Sequence, residues 1–253
     1  MHYLERTSSN LKLYTMKYCI VPDVHGRTFW KKAQENIDKY DKIIFLGDYL
    51  DPYVDYDGVT KKQAFDNFKE LLKFAKDNRD KVTLILGNHD LHYFPNVSED
   101  YGCRRDNKRY KVIQSLFLKN IDLFSFCTVI NTKVLGKVLL SHAGINLGWY
   151  LHNLKIANKD NWEEILNGMV GNVQDINKYI WNISVMRGGY DSFGGIVWSD
   201  LYEHDIESTS IVNQKLGVDY QIFAHTYSIP SPDEIYVCDS YSMIDNKKLY
   251  EIE

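Results

Sequence analysis

Residues 43–51 read IIFLGDYLD, an apolar run followed at once by Gly47 and Asp48 and, three positions on, by Asp51. A short apolar run closed by a glycine is the pattern of a buried strand ending in a turn. Four other apolar runs likewise end on a metal-liking side chain. CIVPDVH (19–25) closes on Asp23 and His25, LILGNHD (84–90) on Asn88, VLLSHAG (138–144) on His142, and QIFAHT (221–226) on His225. Strands that each finish in a metal-liking side chain gather those side chains along one sheet edge, where α/β proteins place their ligands. Asp23, His25, Asp48, Asn88, His142 and His225 are therefore read as one metal site. Carboxylate, amide and imidazole donors without cysteine suit hard or borderline ions such as manganese, iron or zinc. Six donors exceed what one ion with open positions for water and substrate accepts, whereas two ions sharing a carboxylate use them all. A two-metal centre is expected.

The intervals between the runs predict the architecture. Residues 28–40 (TFWKKAQENIDKY) have helical spacing, and KKQAFDNFKELLKFAKD (61–77) sets Ala64, Phe65, Phe68, Leu71, Leu72 and Ala75 on one helical face. Alternating strands and helices imply an α/β fold with a mostly parallel sheet. Residues 91–126 form a connection carrying Arg104, Arg105, Lys108, Arg109 and Lys111, either a solvated face or a group that meets a phosphorylated substrate. TVINTKVLGKVLLSHAG (128–144) then reads as two strands joined by a glycine turn. The long interval before His225 contains Trp149, Trp162, Trp181 and Trp198, with helices expected at 161–170 and 173–186. Residues 146–215 are expected to form a cap beside the substrate. EIYVCDS (234–240) and KKLYEIE (247–253), separated by DNKK, are expected to pair and complete a sheet.

With 253 residues, 44% of them hydrophobic, and no Pro/Gly/Ser-rich linker, the chain can bury one large core. A loose N-terminal extension is expected at 1–15 and a single domain at 16–253. A net charge of -4 gives no general attraction to nucleic acid or to anionic membrane, so neither is an expected partner. Cys19, Cys127 and Cys238 lie in strand-like runs and Cys103 does not, a scatter that fits reduced core thiols rather than a disulfide framework. There is no long apolar span and no secretory leader pattern, so a soluble, cytoplasmic protein is expected.

The ordered blocks resemble the calcineurin-like metallophosphoesterases, whose signature runs D-x-H, G-D-x-x-D, G-N-H-[DE], a lone His, then G-H-x. Here they stand as Asp23-Val24-His25, Gly47-Asp48-Tyr49-Leu50-Asp51, Gly87-Asn88-His89-Asp90, His142, and Ala224-His225-Thr226. Val197-Trp198-Ser199-Asp200 and Arg187-Gly188-Gly189 are similar to segments of the phosphoprotein phosphatase branch, particularly its bacterial and phage members. The resemblance implies a four-layer αββα sandwich of two mixed β-sheets flanked by helices. It also implies that Asp23 and His25 hold one ion, that Asp48 bridges, and that Asn88, His142 and His225 hold the other. A water shared by two cations ionises near neutral pH, and the hydroxide so formed is the expected nucleophile.

His89, next to Asn88, is the expected proton donor to the leaving group, with Asp51 orienting it. Asp90 and Asp200 are candidates for anchoring these loops, whereas His2, His92, His152 and His204 match no motif and are read as structural or surface residues. The branch commonly carries an arginine after the second aspartate of G-D-x-x-D, where this chain has Pro52-Tyr53. Arg187 and Arg27 are the candidates for gripping phosphate, with Asn88 also facing substrate. No second histidine follows His225, which argues against the diesterase branches that show G-H-x-H there.

The expected function is a dinuclear phosphomonoesterase of Ser/Thr protein phosphatase type, acting on a phosphorylated protein or a small phosphate ester, with manganese favoured and iron, zinc or a mixed pair as alternatives. Symmetrical diadenosine tetraphosphate hydrolysis, using aromatic residues of 146–215 to stack adenines, is the second enzyme reading. A non-catalytic scaffold is a third, and it predicts decay of at least one ligand, yet all six are present.

Overall fold

The computed structural model describes residues 15–97, 104–154, 160–226, 236–244 and 247–253. Most of the expected N-terminal extension, together with His2 and Cys103, lies outside them. Among the described residues ten strands form two five-stranded mixed sheets. The first contains β1 (Tyr18–Val21), β2 (Lys42–Phe45), β3 (Val82–Ile85), β4 (Phe124–Ser125) and β10 (Tyr250–Ile252), in the order β10-β1-β2-β3-β4. The second contains β5 (Cys127–Thr132), β6 (Gly136–Ser141), β7 (Tyr220–Phe223), β8 (Tyr236–Val237) and β9 (Tyr241–Met243), in the order β5-β6-β7-β9-β8.

The strand alternation sorts side chains into layers, because successive residues of a strand face opposite sides. Tyr18 and Ile20 of β1, Ile44 of β2 and Ile85 of β3 join Val138 and Leu140 of β6 and Tyr220 and Ile222 of β7 in one buried cluster, which glues sheet to sheet. The intervening residues Cys19, Val21, Ile43, Phe45, Leu84 and Leu139 face outward into a second cluster shared with the helices. This is the expected αββα arrangement.

The helices are α1 (Lys31–Glu35), α2 (Val54–Asp57), α3 (Lys61–Asp77), α4 (Asn88–Leu91), α5 (Tyr110–Lys119), α6 (Leu147–Trp149), α7 (Trp162–Gly168), α8 (Val173–Asp175) and α9 (Ile206–Leu216). Helix α3 begins in a capping box, where Thr60 Oγ1 accepts from the Gln63 backbone N–H and Gln63 Oε1 accepts from the Thr60 N–H. It buries Ala64, Phe68, Leu71, Leu72 and Ala75 as its spacing predicted.

Two expectations at the C-terminal side are corrected. Among the described residues, the strands of the segments 234–240 and 247–253 do not pair with each other. β8 turns back onto β9 in the second sheet, while β10 crosses to the first and runs antiparallel to β1, with Cys19 opposite Glu251. Without β10 the backbone of β1 would be an open edge. The helix expected at 173–186 stops early: α8 widens into a π-helical turn at Ile176–Ile180 and ends at Trp181. That ending lets Trp181 pack edge-on against Trp198, with ring centroids 5.4 Å apart.

Cys19 and Cys127 are buried free thiols, and burial pushes Cys19 up to about 12, so neither is a ready thiolate. Among the described residues no helix is long and apolar enough to cross a membrane.

Because the inter-sheet layer fixes how the two sets of strand ends meet, truncating Ile20 to alanine is expected to cost about 2–5 kcal/mol in urea unfolding. Val134→Ala, at a largely exposed site, is expected to change stability by less than about 0.5 kcal/mol.

Candidate metal centre

The candidate ligands all sit just beyond strand ends, on the side where the two sheets meet. Asp23 and His25 follow β1, Asp48 follows β2, and Asn88 opens α4 after β3, while His142 and His225 follow β6 and β7 of the other sheet. All six are buried or nearly so. Asp23, His25 and Asp48 form one group of convergent ligand atoms, and Asp48, His142 and His225 form another, with Asp48 common to both.

The sharing is visible atom by atom. Asp48 Oδ2 lies 3.5 Å from His25 Nε2 and 3.6 Å from His142 Nε2, between imidazoles that come from different sheets. Its other oxygen, Oδ1, accepts from the His89 backbone N–H at 2.9 Å. Each of the two imidazoles is oriented from behind by a carbonyl. His25 Nδ1 donates to Leu50 at 3.0 Å and His142 Nδ1 donates to Leu46 at 2.7 Å, which leaves both Nε2 atoms with lone pairs directed at the carboxylates.

His142 Nε2 then lies 3.0 Å from Asn88 Oδ1 and 3.1 Å from His225 Nδ1, while His225 Nε2 is buried without a hydrogen-bond partner. An amide oxygen, an imidazole lone pair and a carboxylate cannot satisfy one another as hydrogen-bond acceptors. A cation at their focus would satisfy all of them, so the residues present fit a metal pair.

The electrostatics point the same way. Burial holds His25 down at about 3 despite the pull of Asp48, and burial likewise lowers His142 and His225, so all three are neutral as metal ligands must be. Burial opposes ionisation of Asp48, but the polar surroundings made by the imidazoles of His142, His89 and His25 and by the His89 backbone N–H keep the carboxyl below its ordinary range.

The loops are tied by Asp90, the anchor proposed from sequence. Its carboxylate accepts from the backbone N–H groups of Asp48, Tyr49 and Gly87, each at 2.9 Å. A side chain at Gly87 would not fit, because a Cβ there would lie 2.2 Å from Asp48 Oδ1 and 2.8 Å from His142 Cε1.

His89 and Asp51 are brought together, with His89 Nδ1 3.1 Å from Asp51 Oδ2. Tyr93 donates its hydroxyl to Asp51 Oδ1 at 2.6 Å. Burial works against the Asp51 charge, yet the His89 hydrogen bond, with His92 and Tyr93 beside it, holds that carboxyl well below the usual range. Sequence reasoning missed Tyr93 and placed His92 outside the site. His92 is in fact buried, its Nδ1 3.9 Å from Asp51 Oδ2 and its ring edge-on to His89 and Trp181. The signal available was its position three residues after His89 on a helical turn, where side chains share a face. His204, by contrast, is structural as expected, contacting Ser199 Oγ at 3.0 Å and the Ala143 carbonyl at 3.1 Å.

The two arginines picked out from sequence both reach this region. Arg27 donates to the carbonyls of Val24 and Asp23 and faces Asp57 at 3.6 Å, so as placed it braces the loop carrying Asp23 and His25. Arg187 is paired with Asp200 at 2.7 Å and donates to Thr226 Oγ1 at 2.5 Å, directly beside His225. The segment 146–215 lines the centre through Trp198, whose ring meets His225 edge-on at 5.7 Å.

A family model described as calcineurin-like phosphoesterase matches residues 16–228. Among solved structures the chain is similar to a metallophosphoesterase from Sphaerobacter thermophilus, at 12% identity and a TM-score of 0.42, over 93% of this chain and 78% of that one. No curated protein matches the chain.

In metal-free protein the three buried imidazoles are neutral when folded and protonatable when unfolded, so the unfolded state binds more protons below about pH 6.5. Stability is therefore complete above that value and falls as pH drops toward about 3, the His25 value. Each such group contributes roughly 1.4 kcal/mol per pH unit within its window. Urea midpoints of the metal-free protein are expected to fall steadily from about pH 7 to pH 5, and His25→Gln should flatten that slope. A midpoint constant across the range would contradict the buried neutral imidazoles.

Proposed function

The chain belongs to the calcineurin-like phosphoesterase family and is a metal-dependent phosphoester hydrolase, and from that premise we propose that it cleaves phosphomonoesters, as a phosphatase of the Ser/Thr protein phosphatase type. The family uses a dinuclear divalent centre. Asp23 and His25 would hold one ion, and Asn88, His142 and His225 the other, with Asp48 bridging. The observation that carries this assignment is the position of Asp48 Oδ2 between His25 and His142. Manganese is the favoured pair, since carboxylate, amide and imidazole donors suit it, with iron or zinc as alternatives.

Two ions bound there would supply the positive charge that polarises the phosphoryl oxygens and acidifies water. The chain's own residues do the rest. His89, with Nδ1 directed at the charged Asp51, presents Nε2 to the departing alkoxide oxygen and delivers a proton to it. Tyr93 fixes Asp51 so that the imidazole keeps one orientation. Arg187, braced by Asp200, places positive charge on the His225 side, where the phosphoryl group needs neutralisation in the transition state.

A phosphorylated polypeptide is favoured as substrate by the rim around Arg187. Val185, Met186, Tyr190 and Tyr202 are exposed there, giving an apolar edge that a peptide segment can cover. The absence of a second histidine after His225 supports a monoester over a diester substrate.

His89→Gln is expected to lower kcat on para-nitrophenyl phosphate by about 10²–10⁴-fold while leaving metal content unchanged. Asp48→Asn is expected to lose both activity and bound metal, measured by elemental analysis alongside the assay. A phosphopeptide should be preferred over bis-para-nitrophenyl phosphate and over diadenosine tetraphosphate. Retained activity in Asp48→Asn, or preference for the bis ester, would overturn the assignment.

A further inference from the structure

Three guanidinium groups approach the centre, and what they are bonded to separates them. Arg27 is committed to the carbonyls of Val24 and Asp23 and to Asp57, and Arg187 is braced by Asp200 and Thr226. Arg104 arrives from the connection ahead of α5 and lies flat on Tyr53, 3.6 Å from the ring centroid. Its Nε and Nη2 both donate to the Asp51 backbone carbonyl, at 3.3 and 3.1 Å. Tyr53 itself stands edge-on to His25 with centroids 5.1 Å apart, so His25, Tyr53 and Arg104 form a stack leading outward from the candidate ligands. The Arg104 charge is close enough to act on the His25 imidazole. Among the described residues no carboxylate pairs with it, and Nη1 is not one of the atoms bonded to the Asp51 carbonyl.

This is a partly buried cation whose plane is already fixed by one aromatic face and two hydrogen bonds. Its remaining N–H edge therefore loses little freedom on meeting an anion. The other basic residues of the same stretch are directed elsewhere: Arg105 covers Tyr110 and bonds Asn107, and Arg109 pairs with Asp106.

We propose, resting on the phosphoesterase reading above, that Arg104 is the substrate-phosphate ligand on the His25 side of the centre. Its Nη1 edge donates hydrogen bonds to the non-bridging phosphoryl oxygens, opposite Arg187 on the His225 side. Tyr53, next to the Pro52 that stands where the resembling branch carries an arginine, is the shelf that positions this guanidinium.

The test measures orthophosphate binding to manganese-loaded protein by calorimetry, next to kcat and KM for para-nitrophenyl phosphate. Arg104→Ala and Arg104→Lys are expected to weaken orthophosphate binding and raise KM about tenfold or more, the loss typical of a charge-assisted pair. Lysine fails because it lacks the planar fork. Metal content should match the parent and unfolding in urea should stay cooperative, and Arg105→Ala, with the same change in charge, should bind orthophosphate like the parent. If kcat falls in both Arg104 variants while orthophosphate affinity is unchanged, Arg104 only braces Asp51 and the proposal fails. If the parent itself neither turns over monoesters nor binds orthophosphate, the failure lies with the phosphoesterase reading instead.

Discussion

Lone pairs crowd around Asp48, and much of the fold exists to hold them there. Asp48, Asn88 and the neutral faces of His25, His142 and His225 are linked by successive contacts of 3.0 to 3.6 Å, yet few can donate to the rest. Such a cluster is costly without positive charge at its focus. The inter-sheet layer brings the two halves of it together, because β2 delivers Asp48 while β6 and β7 deliver His142 and His225. The His142 to Leu46 hydrogen bond joins the two sheets at the point where their ligands meet.

Backbone geometry carries part of the same burden. His25, Asp48, Asp51 and His225 all have φ between 44° and 65°, in the left-handed region that non-glycine residues seldom occupy. Each costs about 1–3 kcal/mol unless its surroundings enforce it. Here they do. The loops after β1 and β2 are laced by backbone bonds from His25 to Asp48 and from Gly26 to Tyr49, and Asp90 gathers three further N–H groups. These turns swing each strand's last side chain inward, which is why residues so far apart in sequence share one small volume.

That logic explains what was legible in the sequence. The five strand-end blocks could be read because each is local: an apolar run, a small residue, then a donor. The long face of α3 could be read for the same reason. The destination of the last strand could not, since Tyr250 and Ile252 alternate equally well for either sheet, and only the open edge of β1 decides. Tyr93 carries no local signal, His92 matches no motif, and Arg104 does not stand out within its basic stretch, because their importance comes from tertiary return. Arg104 is far from Asp51 in the chain and meets it only after the connection folds back. The expected helix at 173–186 failed for a related reason, since the packing of Trp181 against Trp198 and His92 overrode a helical pattern that was sound locally.

Trp198 gives the centre an optical dimension. Its indole lies against His225 on one side and the Trp181–His92 pair on the other, so two of the molecule's five tryptophans sit within a ring's width of imidazoles near the proposed ions. The chain's own ultraviolet emission thereby becomes a gauge of cation loading, with no dye attached.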